Sequence, residues 1–164
     1  MGTRHLLEVT SKGKVKVAQY GHWDGYLEGV GQDLLKRMQR IVSTEEHFLN
    51  FIRKVDSCEF VDDSIDGDTN YTSWASHIVD LIDLSENGLN LVNSIGFRDD
   101  SSCEYIYELN LDNKTITVFE NRYHDDEGDD GDYFGNTFTS YSLSCDVIKV
   151  YDLDNLSSSI MNTF

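Results

Sequence analysis

The 164-residue chain contains no proline, so neither rigid extended linkers nor proline-rich recognition segments divide it. The expectation is a single domain over 1–164. No run approaches the roughly 20 consecutive apolar residues of a membrane-spanning helix, and the N-terminus lacks the apolar core of a secretory signal. A chain acting in the cytoplasm, away from membranes, is expected. Cysteine is scarce: Cys58, Cys103 and Cys145 stand far apart, with no CxxC pair and no histidine at zinc-finger spacing. They read as ordinary reduced thiols. Positive charge is scarcest of all in the later part. Residues 55–164 hold four Lys or Arg against 24 Asp or Glu, whereas residues 1–54 hold nine against six, giving local balances of −20 and +3 and a net charge of −17. Phosphate backbones are held by clustered cations, so direct nucleic-acid binding is excluded over most of the surface. Such a field steers instead towards a basic protein surface.

Hydrophobic periodicity predicts an α+β fold. Alternation in Thr3–Thr10 and Lys14–Tyr20 around Gly13 predicts an N-terminal hairpin. Leu34, Leu35, Met38, Ile41 and Val42 recur at helical spacing in Gln32–Val42, and a second helix is expected from Ser43 or Thr44, with Phe48, Phe51, Ile52 and Val55 as its apolar stripe. Trp74, Ile78, Leu81 and Ile82 mark a third helix, and Leu89–Ile95, stopping at Gly96, a fourth. Strands on either side of Asp112-Asn113-Lys114 predict a second hairpin. Residues 138–153 read as one or two further strands and Leu156–Phe164 as a short terminal helix. The expected architecture is an antiparallel sheet built from N-terminal and C-terminal hairpins, with three to four central helices packed on one face.

Chemistry concentrates in Tyr20-Gly21-His22-Trp23-Asp24-Gly25-Tyr26-Leu27-Glu28-Gly29-Val30-Gly31. Its glycines mark points of positive φ or of close approach by another group. His22, Asp24 and Glu28 carry metal-ligating and acid–base groups, but no second motif completes a ligand set, so no metal site, cofactor or catalytic residue is assigned. In the structural reading Trp23 and Tyr26 close a small core over the sheet while His22 and Asp24 bond the turn. In the binding reading Gly29 and Gly31 precede a helix whose first amides hold a phosphate. Arg4, His5 and Lys16 add positive charge there, and Tyr20, Trp23 or Tyr26 stacks on a base. Two nucleophile templates fail. Thr3 and Ser11 are misplaced for a processed N-terminal nucleophile, and the cysteines lack an adjacent activating histidine.

Two acidic runs stand apart. Asp62-x-Ser64-x-Asp66-Gly67 imitates half of a calcium loop, but its twelfth position is Ser73, not a bidentate glutamate. Asp125-Asp126-Glu127-Gly128-Asp129-Asp130-Gly131-Asp132, flanked by Tyr123, His124, Tyr133 and Phe134, places six carboxylates in eight residues. It is either a solvated loop or a surrogate for a phosphate backbone, with Asp125, Asp126, Glu127, Asp129, Asp130 and Asp132 as the partner-binding residues.

The opening Gly2-Thr3-Arg4, the Tyr20-x-His22-Trp23-Asp24-Gly25-Tyr26 loop with Gly29 and Gly31, and Glu104-Tyr105-Ile106-Tyr107-Glu108-Leu109-Asn110-Leu111-Asp112-Asn113 together resemble a group of small proteins common in bacteriophages and their hosts. Leu27 stands where that group usually has proline. The resemblance implies a phage or mobile-element origin and action inside the host cell, and transfers no catalytic residue. With the regional charge, it leads to a counter-defence protein of the anti-CRISPR kind, inhibiting a host nucleic-acid-handling defence complex through its acidic surface. The alternative is a binder or hydrolase of a nucleotide signal at the Tyr20–Gly31 loop. Self-association is left open by the sequence.

Overall fold

The computed structural model describes residues 3–61, 74–98, 103–123 and 143–156. The acidic runs at 62–68 and 125–132 and the C-terminal segment 157–164 lie outside them, as does the calcium-loop imitation through Ser73.

Strands β1 (His5–Ser11) and β2 (Lys14–Gly21) form the first hairpin. Lys12 and Gly13 both take positive φ, 52° and 73°, as the tight hairpin turn matching strand twist requires. A second hairpin, β5 (Tyr105–Asn110) and β6 (Thr115–Tyr123), is extended by β7 (Leu143–Asp152). The sheet order is β2-β1-β5-β6-β7. Every junction is antiparallel except β1–β5, where the hairpins meet in parallel from His5 opposite Tyr105 to Thr10 opposite Asn110. The sheet is therefore mixed and mostly antiparallel, within the expected α+β class.

Helices α1 (Gln32–Ile41), α2 (Glu45–Asp56) and α3 (His77–Leu84) bury one stripe each, and these stripes join Leu7, Val9, Val17, Tyr107, Leu109, Ile116 and Val118 in a single core on one sheet face. Thr44 caps α2, its hydroxyl accepting the His47 amide at 3.1 Å. Asp33 and Asp80 bind Arg37 from two helices, and Ser76 Oγ donates to Asp33 at 2.6 Å, tying α1 to the start of α3. The segment expected as a fourth helix contains instead the strand β4 (Asn90–Val92), which pairs in parallel with β3 (Glu59–Val61). The pairing with β3, together with the Leu89 carbonyl accepting the Glu59 amide at 3.1 Å, engages this backbone between strands rather than along a helix, and Gly96 lies inside the 3₁₀ turn Ile95–Arg98 instead of ending a helix.

The opposite sheet face carries a smaller cluster of Leu6, Tyr20, Cys103 and Ile106 with Phe119 against it. Arg98, ending a short 3₁₀ turn at Ile95–Arg98, lies over the Phe119 ring at 5.3 Å and ion-pairs with Glu8. The ends of both hairpins are coupled by Asp112, whose carboxylate accepts the Lys12 amide at 2.8 Å and the Gly13 amide at 2.9 Å. Those two donors hold its carboxyl below the usual carboxylate range. Asp112→Ala is expected to speed hydrogen exchange at the Lys12 and Gly13 amides while leaving the central strands protected, which an exchange experiment resolved by residue reads directly.

Candidate functional site

The loop from Tyr20 to Gly31 connects the end of β2 to α1, and its geometry is fixed from beneath by His5. In the β1–β2 register His5 lies opposite Gly21. A Cβ on Gly21 would fall 2.4 Å from the His5 ring and 2.9 Å from the Ala75 amide nitrogen. The missing side chain is thus the space the imidazole occupies. His5 is fully buried, and its Nε2 accepts the Ala75 N–H at 2.9 Å. Burial lowers its pKa from 6.5 to about 4, the Thr3 carbonyl opposing. The ring is neutral at physiological pH, with its proton on Nδ1 because Nε2 is an acceptor.

The next turn is tied at both backbone groups of Gly25: its amide donates to the Thr3 carbonyl at 3.0 Å, and its carbonyl accepts the hydroxyl of buried Tyr107. Burial raises the Tyr107 pKa far above the ordinary phenol value, with Tyr105, Tyr151 and Glu28 adding to the effect. Tyr107 is therefore a permanent donor. Asp24, not a glycine, takes the positive φ of 51°. Its carbonyl accepts the Val30 amide at 2.8 Å, while Gly29 and Gly31 both donate to the Tyr26 carbonyl, at 3.0 and 3.3 Å. These bonds wind Leu27–Gly31 into one turn of π-helix that runs without a break into α1, Gly31 itself being helical at φ −59°, ψ −51°.

Several expectations change at this point. The loop glycines Gly21, Gly25, Gly29 and Gly31 serve close approach, since positive φ among the glycines occurs only at Gly13 and Gly88 in the described residues. The amides of Gly29, Val30, Gly31 and Gln32 already donate to loop carbonyls, so the Gly29 and Gly31 phosphate cradle is not formed. His5 brings no charge, and Arg4 is paired with Glu104 at 3.9 Å. Tyr20 faces the smaller core and is buried, its ring meeting His22 edge-on at 4.7 Å. Trp23 and Tyr26, expected to close a core, do the reverse: they are 49% and 40% exposed. His22 and Glu28 are also exposed. Asp24 is half-buried and accepts the Tyr26 hydroxyl at 3.4 Å.

The site is therefore a tied loop that displays Trp23, Tyr26, His22 and Glu28 above a buried support of His5, Tyr107 and glycine backbone. The role of His5 was missed as a structural one and could be read only from hairpin register. Among the described residues no group of three or more His, Cys, Asp or Glu is placed to hold a metal ion. Cys58 and Cys103 are buried and Cys145 is exposed; burial raises the Cys145 thiol, which opposes thiolate formation. Comparison with family models, with curated proteins and with solved structures gave no match.

Several cations from both parts of the chain are engaged within it. Lys12 pairs with Asp56, Arg37 and Arg40 with Asp80, Arg98 with Glu8, and Lys114 with Asp154. Lys54 donates to the Asp83 carbonyl at 2.5 Å and Arg53 to Asn50 and Glu86. No helix among the described residues is long and apolar enough to cross a membrane.

Proposed function

We propose that the chain is a phage-encoded counter-defence protein, an inhibitor that binds a basic surface of a host nucleic-acid-handling defence complex and keeps nucleic acid from it. One observation carries this reading. The net charge is −17 with every Lys and Arg counted, and residues 55–164 alone carry a balance of −20, so the field a basic partner meets is negative. The resemblance of the loop and the late tyrosine-rich strand to phage proteins supplies the biological setting.

The nucleotide-binding alternative loses its strongest support. Its phosphate donors are occupied by loop carbonyls, and its cations are a neutral histidine, a paired arginine and Lys16, which lies near the other end of β2 from the loop.

The test is competition. An RNA-guided nuclease is given its target DNA with increasing amounts of the chain, at about 50, 100 and 200 mM salt, a range over which charge-driven association weakens steeply. DNA binding is expected to fall with added chain, most strongly at the lowest salt. Asp125→Asn, Asp126→Asn, Asp129→Asn and Asp130→Asn combined are expected to weaken inhibition and flatten its salt dependence. Their melting temperature should be unchanged or higher, because like charges adjacent in sequence repel. An undiminished DNA signal at low salt across such complexes would sink the proposal.

A further inference from the structure

We infer that the exposed face of the His22–Glu28 loop captures an arginine side chain of the partner protein, the Trp23 and Tyr26 rings supplying π faces and the Asp24 and Glu28 carboxylates the acceptors. This deepens the proposed function and rests on its premise that the partner surface is basic.

Two observations and one chemical argument converge on the loop. First, it is held tightly yet presents large rings to solvent. Both backbone groups of Gly25 are bonded, Asp24 is fixed with positive φ, and the turn beyond it is closed by the Gly29, Val30 and Gly31 amides. Against that frame Trp23 is 49% and Tyr26 40% exposed. A rigid frame under exposed aromatics lowers the ordering cost of binding, and Trp and Tyr are the side chains that most often anchor interfaces. Backbone held in a sparsely populated region also points towards function when the surroundings enforce it.

Second, the sign of charge is wrong for an anion and right for a cation. The Asp24 and Glu28 carboxylates form no ion pair among the described residues, and the only hydrogen bond described for either is from the Tyr26 hydroxyl to Asp24 at 3.4 Å. The nearby cations are withdrawn, Arg4 by Glu104 and His5 by burial as a neutral ring. A phosphate would meet two carboxylates here.

Third, the chemistry selects arginine over lysine. A guanidinium is planar and weakly hydrated, so it stacks on an indole or phenol face while its edge donates in parallel to a carboxylate. An ammonium offers only a point charge. The remaining acidic surface then provides the long-range field and this loop the local anchor.

The experiment uses the full chain labelled with nitrogen-15 and titrated with three probes: a tetra-arginine peptide, a tetra-lysine peptide and adenosine monophosphate. The arginine peptide is expected to shift the Trp23 indole N–H resonance and to bind about 5-fold or more tightly than the lysine peptide. Trp23→Ala should weaken the arginine peptide about 5- to 30-fold, the range of a partly desolvated cation–π contact. Asp24→Asn with Glu28→Gln should weaken it and reduce the salt dependence. Melting temperature serves as the folding control, and Asn tolerates the positive φ at position 24. Equal affinity of the two peptides with an unmoved indole would overturn the arginine anchor while leaving the acidic inhibitor standing. Failure of both peptides to bind at low salt would overturn both. An indole shift caused by adenosine monophosphate and by neither peptide would replace the anchor with a base-stacking site.

Discussion

Between about pH 7 and pH 4 the chain is expected to lose about 3 kcal/mol of stability that a His5→Leu variant does not lose. His5 is fully buried, with its pKa lowered from 6.5 to about 4 chiefly by burial. Because the folded value lies below the unfolded one, the unfolded chain binds the proton first as pH falls. The stabilising contribution is complete above 6.5, declines through the window and is lost near 4. A gap of about 2.5 between the two values, at about 1.36 kcal/mol for each, sets the size. Protonation at Nε2 also removes the acceptor of the Ala75 amide, so the loop and the segment before α3 should loosen together. His5→Leu leaves that amide without its acceptor and costs about 1–3 kcal/mol at neutral pH, but its stability should vary less across the window. Titrating carboxylates act in both proteins and cancel in the comparison. Urea unfolding of the pair at a series of pH values measures the difference, and parallel curves would show that His5 does not carry the acid sensitivity.

His5 also shows where sequence reasoning stops. The hairpin around Lys12-Gly13 was legible from its alternation and turn residues, and an unbroken register from Ser11 opposite Lys14 would have placed His5 across from Tyr20. A shift between Val9 and Thr10 moves the pairing by one residue and brings His5 opposite Gly21. Nothing in the composition of Val9-Thr10 announces that irregularity. The parallel β1–β5 junction was hidden for a related reason: both strands carry alternation suited to either direction, and the choice is made by pairing about 100 residues apart in sequence. The stripes of α1 and α2 were readable because Leu34, Leu35, Met38 and Ile41, and Phe48, Phe51 and Val55, repeat at helical spacing and are buried. Leu81 kept that spacing in α3 and is nevertheless exposed. The candidate loop was legible as a dense constellation, but not its orientation. Indole and phenol rings favour burial by composition, and here the backbone bonds around Gly25 turn Trp23 and Tyr26 outward.

Replacing Gly29 with alanine is expected to be among the most damaging single-methyl additions in the chain, destabilising it by about 1–3 kcal/mol or more. In a helical segment this exchange ordinarily stabilises by about 0.5–1 kcal/mol, since alanine has the better propensity. At Gly29 the added Cβ would lie 2.2 Å from the Asp24 carbonyl oxygen and 2.8 Å from the Asp24 Cβ. The first of these is backbone, so no rotamer change relieves it, and the same oxygen accepts the Val30 amide that closes the turn. Overlap therefore outweighs propensity. Gly96→Ala is the matched control: a Cβ there meets nothing within 4 Å, and its effect should be near zero. Gly31→Ala should fall between them, because its closest neighbour is the Tyr107 hydroxyl at 3.1 Å, a side-chain atom that yields only by straining its bond to Gly25. The three melting temperatures should rank Gly29→Ala lowest, Gly31→Ala next and Gly96→Ala closest to the parent. If Gly29→Ala melted with Gly96→Ala, Asp24 would be free to move, and the rigid display of Trp23 and Tyr26 on which arginine capture depends would have no support.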